Sequence, residues 1–315
     1  MGTITDLPTI EVGHAHDLEL QTGCTALLTG EEGAVAGVDI RGGAPGTRET
    51  ELLQPGKLVE GVHAILLTGG SAFGLDAASG VVKYLYEQGR GHSAGSIKVP
   101  IVPAAVIFDL GLGSMGWPDL EMGYQAAAGA SDDPVPLGNV GAGTGATVGN
   151  MLGRKGMMRG GIGSSSCRLP SGLQVGALVV VNALGDVYDH GQGEIVAGLR
   201  DPESGLLLDS MKMMKEGHGS VRLEFENTTL GVVATDARLR VEEAQKVAQM
   251  AHNGLARTIR PAHTMMDGDT IFALSVGERK ADVSLVGALA AEMVEQAILS
   301  AFTGRRLPPP QEGIN

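Results

Sequence analysis

Residues 228–302 read TTLGVVATDARLRVEEAQKVAQMAHNGLARTIRPAHTMMDGDTIFALSVGERKADVSLVGALAAEMVEQAILSAF, and their hydrophobic rhythm changes from segment to segment. Thr228–Thr235 (TTLGVVAT) is a short apolar run rich in β-branched residues, the grammar of a buried strand. Over Val241–Ile259, Ala244, Val247, Ala248, Ala251 and Leu255 recur at three- and four-residue steps and share one face of a helix. Thr270–Val276 (TIFALSV) returns to strand. Asp282–Phe302 predicts a second helix, with Leu285, Val286, Leu289, Met293, Ala297 and Ile298 on its apolar side and Gly304 as its stop. Strand–helix–strand–helix with two apolar helix faces predicts helices layered over a sheet.

Upstream the chain is richer in strands. Cys24–Leu28 and Ala34–Ile40 flank the turn signal Glu31-Glu32-Gly33 and predict a hairpin. Arg41–Thr47 (RGGAPGT) is a glycine/proline loop. Ala64–Leu67 is a short strand ending at Thr68-Gly69-Gly70, and a helix through Phe73, Ala77, Val81 and Leu85 follows, with Ser71 as its N-cap and Gly89 as its stop. The two glycines fit close helix–sheet packing better than a dinucleotide loop, because the G-x-G-x-x-G spacing is absent. Gly141–Gly149 (GAGTGATVG) lacks the G-K-[ST] ending of a phosphate loop. Val102–Phe108 and Val175–Asn182 read as further strands, and Ser204–Ser220 as an exposed connector.

Composition narrows the function classes. The chain has 315 residues, with 23 Lys+Arg against 36 Asp+Glu, a net charge of −13. That balance argues against nucleic acid as a partner, which needs a concentrated basic stripe. No uninterrupted apolar run reaches the roughly 18 residues that span a bilayer. No basic-then-apolar leader opens the sequence, so neither a membrane partner nor a signal peptide is expected. Two cysteines, Cys24 and Cys167, make no disulfide framework, and a cytoplasmic location is the simplest expectation. Glycine, at 49 residues, is about twice its roughly 7% average usage. Such a chain packs its elements closely through small residues.

Two places carry candidate chemistry. At Glu226-Asn227-Thr228-Thr229 a polar stretch meets an apolar strand. If the bond before Thr228 is cut, the freed α-amine, with a reference pKa of about 7.7–8.0, can take the proton from the hydroxyl of the same residue. Pattern alone favours a simple turn there. At Asp267-Gly268-Asp269, residues i and i+2 of an extended chain point to one side, and two close carboxylates oppose each other's ionisation. An Asx-type turn explains the same letters equally well. His14-x-His16 has no carboxylate or cysteine cluster at metal spacing, so no metal site is expected. No G-x-S-x-G elbow is present.

Taken in order, Ile10–His14 (IEVGH), Gly37–Leu53 (GVDIRGGAPGTRETELL), Leu67–Leu75 (LTGGSAFGL), Val102–Leu110 (VPAAVIFDL), Gly141–Gly149, Asn227–Leu239 (NTTLGVVATDARL) and Met266–Thr270 (MDGDT) resemble the DmpA-type family. That family holds L-aminopeptidase/D-amidase-esterases, β-peptidyl aminopeptidases and endo-type 6-aminohexanoate-oligomer hydrolases. The resemblance runs from about residue 5 to the C-terminal helix. It implies an αββα sandwich over residues 1–315 as one domain, self-cleaved between Asn227 and Thr228. The fragments 1–227 and 228–315 would stay associated and assemble as a tetramer. It implies Thr228 as the N-terminal nucleophile, Asp267 and Asp269 as the acidic pair, and Asn182 as a residue that holds the oxyanion. Small-molecule amides or short peptides are the implied substrates, with no cofactor. An acidic pocket receiving a free amine is a further expectation. The sequence departs from the family at Asn150, where relatives carry a lysine (the nearest lysine here is Lys155), and at Phe108, near which some relatives carry a tyrosine. Two other outcomes stay open: an unprocessed, non-catalytic binding homologue, and acyl transfer of the ornithine-acetyltransferase kind.

Overall fold

The computed structural model describes residues 2–59, 61–218 and 227–303. Two mixed sheets form its centre. One has five strands in the order Glu11–Asp17, Thr22–Leu28, Ala64–Thr68, Ala104–Val106 and Thr47–Arg48. The other has six, in the order Gly161–Arg168, Gln174–Asn182, Thr228–Ala237, Thr270–Arg279, Ala34–Ile40 and Gly61–Val62. Neighbours in the larger sheet run antiparallel except Thr228–Ala237 with Thr270–Arg279, which run parallel. Parallel neighbours need a crossover connection, and the helix Val241–Thr258 supplies it.

Among the described residues five α-helices follow in chain order: α1 (Ala77–Glu87), α2 (Leu120–Ala128), α3 (Ser210–Lys215), α4 (Val241–Thr258) and α5 (Val283–Ser300). The period of two along each strand sorts side chains between layers. Leu178, Val180, Leu230, Val232, Ala234 and Phe272 face the smaller sheet and meet Leu27, Ile65, Leu67 and Ile107. Val175, Ala177, Val179, Val181 and Val233 face the other way, onto α4 and α5. Cys24, Ala26, Leu28, Ala64 and Leu66 pack under α1 and α2. Both sheets are therefore buried on both faces, which makes the molecule an αββα sandwich. Thr228–Ala237 is buried along its whole length, as a central strand covered on both sides must be.

The expected elements at 228–302 form with boundaries within a few residues of the sequence reading; Gly304 lies outside the described residues. Three expectations change. Thr22–Leu28 and Ala34–Ile40 do not form a hairpin: the first pairs with Glu11–Asp17 and Ala64–Thr68, the second with Thr270–Arg279. Both strands have two apolar faces to cover, and placing one in each sheet covers them all. Ser71 is not an N-cap. It has φ 52°, and Ser71–Asp76 is a 3₁₀ segment leading into α1. Within Ser204–Ser220 the chain forms α3, whose Asp209 caps the amide of Lys212; residues 219 and 220 are outside the described part. Helix α5 is long and apolar enough to cross a membrane by length and composition, yet it lies against α4 and the larger sheet as a core helix.

Glycine sets the spacing of the layers. A Cβ at Gly80 or Gly123 would strike backbone of Leu120 or Ala77 where α1 crosses α2, and one at Gly254 would strike Ala291 where α4 crosses α5. At Gly163 a Cβ would run into the carbonyl of Ala297, where Ser300 Oγ accepts the amide of Ser164 at 3.0 Å. A Gly163→Ala variant is expected to lift α5 off the sheet and to lose about 1–3 kcal/mol, the usual cost of overpacking, read as a lowered midpoint in urea denaturation.

Candidate active site

Topology alone brings the chemistry together. Because Thr228–Ala237 and Thr270–Arg279 run parallel, their first residues lie side by side at one edge of the sheet. Gln174–Asn182 runs the opposite way, so its last residue arrives there too, and Asn182 pairs directly with Thr228. On the other flank Asn227 bridges to Asp267. Ala64–Thr68 and Ala104–Val106 of the smaller sheet are also parallel, and the chain beyond them delivers Ser71 and Phe108 to the same place.

The carbonyl of Asn227 is the focus of this edge. Thr228 Oγ1 donates to it at 2.6 Å, and the amide of Gly268, between the two acids, donates at 2.8 Å. A Cβ on Gly268 would come within 2.7 Å of Thr228 Oγ1, so only glycine leaves room for both donors. The side chain of Asn227 is held as well: its Oδ1 accepts Nδ2 of Asn150. Asn182 Oδ1 accepts the Thr147 amide at 2.9 Å, while its Nδ2 donates to the Phe108 carbonyl at 3.4 Å.

The two carboxylates sit behind Thr228, each only 2% exposed. Asp267 Oδ2 accepts one amide, that of Thr264, at 2.7 Å. Burial, and then the neighbouring Asp269, push its carboxyl up from the ordinary 3.8 to about 6. Asp269 is more fully engaged: Oδ1 accepts the Thr229 amide at 2.8 Å, and Oδ2 accepts the amide and the ring of His263. The RGGAPGT loop threads along this pair. Arg41 donates its amide to the Asp269 carbonyl, Gly43 to Thr264 and Ala44 to Asp267.

In front of Thr228 lies a cleft of about 210 Å³ lined by Ala44, Pro45, Gly46, Ser71, Ala72, Val106, Phe108 and Thr228. These lining residues are uncharged, which corrects the expectation of an acidic pocket: burial removes both acids from the cleft wall. Phe108 is in the wall and offers a ring without a hydroxyl. Asn150, at the position of the family lysine, is within reach of Asn227 but brings an amide instead of a charge; Lys155 is exposed. Among the described residues no group of His, Cys, Asp and Glu is arranged to hold a metal ion. His14 instead pairs its Nδ1 with Thr25 Oγ1 at 2.9 Å.

Sequence reasoning missed three contributors. Gly268 supplies a backbone donor, and a backbone donor has no side-chain signature. His263 carries no motif of its own. Asp109 is the charge that ends the apolar run VPAAVIFDL, a signal that was available. It is buried, accepts Thr22 Oγ1 at 2.6 Å and the Gly70 amide at 2.7 Å, and so fixes the turn that presents Ser71 to the cleft.

Comparison with known proteins identifies the family. The model of peptidase family S58 matches residues 2–306. An uncharacterized aminopeptidase of Mycobacterium leprae is 42% identical, with 96% of this chain and 90% of that protein aligned. A 6-aminohexanoate-oligomer endohydrolase of Paenarthrobacter ureafaciens is 32% identical, over 94% of this chain and 84% of its own length. Among solved structures, the L-aminopeptidase D-Ala-esterase/amidase of Ochrobactrum anthropi, described as a variant of the Ntn hydrolase fold, aligns with a TM-score of 0.72 at 19% identity, over 95% of this chain and 85% of its own. A β-aminopeptidase of a Burkholderia species gives 0.70 at 22%, over 95% and 86%. At such identities the structures speak for the fold. The chain belongs to peptidase family S58, the DmpA family, and is by class a hydrolase of peptide or amide bonds.

Burial has a measurable consequence at Asp109, whose carboxyl is pushed up from 3.8 to about 6. The folded chain then holds its proton to a higher pH than the unfolded chain does. Stability from this group therefore falls as pH rises from about 4 to about 6, by on the order of 2–3 kcal/mol, and Asp267 acts with the same sign. Urea denaturation across that range is expected to show a shallower pH dependence for Asp109→Asn than for the parent.

Proposed function

We propose that the chain is a self-processing N-terminal-threonine amide hydrolase that cuts short peptides, amino-acid amides or related amide oligomers through an acyl-enzyme. The observation that carries this reading is the contact of the Thr228 hydroxyl with the carbonyl of Asn227, itself polarised by the Gly268 amide. Oγ1 attacks that carbonyl carbon and yields its proton to the Asp267 carboxylate. The tetrahedral oxyanion keeps the Gly268 amide as a donor; such donors are worth about 10²–10³ in rate. The C–N bond breaks as the nitrogen of Thr228 takes up the proton, leaving an ester between Asn227 and Thr228 Oγ1. Water cleaves the ester to an Asn227 carboxylic acid and a free Thr228 hydroxyl and amine.

In the mature enzyme the α-amine serves as base for the same hydroxyl. Thr228 attacks a substrate amide, the amine product leaves, and water clears the acyl group. Asn182, in register with Thr228, is the side-chain donor proposed for the oxyanion. The uncharged cleft favours an uncharged segment next to the scissile bond. Fragments 1–227 and 228–315 would remain one unit, because the second contributes two central strands and both helices of one outer layer. Assembly of such units into a tetramer is proposed on the family resemblance alone.

Intact mass under denaturing conditions tests the reading. Two fragments meeting at Asn227/Thr228 are expected, with one full-length chain for Thr228→Ala and slowed but real cleavage for Thr228→Ser. An intact parent chain after prolonged incubation would refute it. Asn150→Ala removes one hydrogen bond from the side chain of Asn227 and is expected to slow the appearance of fragments roughly tenfold, about the worth of that bond, followed by gel densitometry over time.

A further inference from the structure

His263 stands in the left-handed region, at φ 57°, which an L side chain adopts only under constraint. In that conformation its amide at 2.9 Å and its ring Nδ1 at 2.8 Å reach the same oxygen, Oδ2 of Asp269. A ring nitrogen beside a carboxylate acts as donor, so Nδ1 carries the proton. Nε2 is buried and has no partner among the described residues, so the ring's contact with Asp269 is made through Nδ1 alone. The ring is wedged edge-to-face against His252 of α4, centroids 4.9 Å apart. His252 in turn bonds the Asp39 carbonyl through Nε2 at 3.0 Å. With Asp39 and Arg41, an ion pair at 2.7 Å, these are the ionisable groups that α4, the strand Ala34–Ile40 and the start of the loop after it bring to the acidic pair.

We infer that His263 is a positioning residue of the site: by clamping Oδ2 it turns Oδ1 of Asp269 onto the Thr229 amide and leaves Asp267 as the member of the pair free to exchange a proton with Thr228. The acids are two residues apart and equal in chemistry, and the imidazole is what makes them unequal. Without the ring each acid has two donors, the amides of Thr229 and His263 on Asp269 and the amide and hydroxyl of Thr264 on Asp267; the imidazole adds a third to Asp269 alone. The Thr229 amide belongs to the residue after the proposed nucleophile, so the clamp also fixes the start of the central strand. This inference rests on the proposed role of Thr228 and the acidic pair.

The first test is made in a Thr228→Ala background, where no cleavage is needed. The carboxyl carbon of Asp267 is followed by ¹³C NMR against pH. With His263→Gly, which keeps the backbone conformation and amide but deletes the ring, the midpoint is expected to rise from the parent value of about 6. His263→Asn, whose amide can take the place of Nδ1 and tolerates positive φ, is expected to titrate like the parent. An unmoved midpoint in the glycine variant overturns the inference. If that variant does not fold, ¹⁵N spectra of the unaltered ring decide: a proton on Nδ1 supports the clamp, and a proton on Nε2 alone refutes it. In the cleaving chain, the acid limb of the self-cleavage pH profile should move up with His263→Gly and return with His263→Asn, whereas a purely structural role lowers the melting temperature and leaves the limb in place. A parent chain that never cleaves would count against the proposed function while the Asp267 titration still judges the clamp.

Discussion

The parallel pairing of Thr228–Ala237 with Thr270–Arg279 is the constraint on which the rest depends. Parallel neighbours demand a crossover, and a crossover helix needs an apolar face to seat it on the sheet. The pairing also puts two strand starts beside each other, and with them the start of a strand at Thr228 and the acids just ahead of Thr270. Antiparallel neighbours would have sent these residues to opposite ends of a strand ten residues long. The antiparallel strand Gln174–Asn182 then brings Asn182 to the same edge from the other side.

Burial shuts that edge away from water. An amide carbonyl in water has many competing donors, whereas the Asn227 carbonyl is held by two fixed ones, Thr228 Oγ1 and the Gly268 amide. Two carboxylates are shut away from solvent with it, and one is pushed up toward neutrality because desolvation and its partner both disfavour the second charge. The surrounding amides come from Arg41, Ala44, Thr229, His263 and Thr264, so the polarity of the site is largely backbone polarity. The RGGAPGT loop lies along the acidic pair, where a Cβ at Gly42 would strike the backbone of Asp267.

The abundance of glycine has the same origin in distance. Where α1 crosses α2, where α4 crosses α5 and where α5 meets the strand Gly161–Arg168, backbone touches backbone with no room for a methyl group. Tight layers keep the inner sheet faces dry with Ala, Val, Leu and Ile, and one Phe272, in place of large aromatics.

Periodicity was enough to locate the two long helices, the strands at Thr228 and Thr270 and the layered class, because amphipathic spacing is a local property written into 228–302. The resemblance of ordered motifs added the sandwich and the family. Local signals failed where a choice between partners was made at a distance. Cys24–Leu28 and Ala34–Ile40 looked like a hairpin because their turn is adequate, but two-sided burial sent them to different sheets. Asn227-Thr228 read better as a turn and Asp-Gly-Asp at least equally well as one, since nothing within four residues distinguishes a turn from half of a site. Only the fold set Gly268 against Asn227, Asn150 against its side chain and His263 against Asp269, across separations of 41, 77 and 6 residues. The sequence by itself determined the two long helices, the strands at Thr228 and Thr270 and a set of candidate residues. The tertiary structure decided which of those residues meet and which are shut from water, because hydrogen-bond geometry and desolvation belong to positions in space and not to positions along the chain.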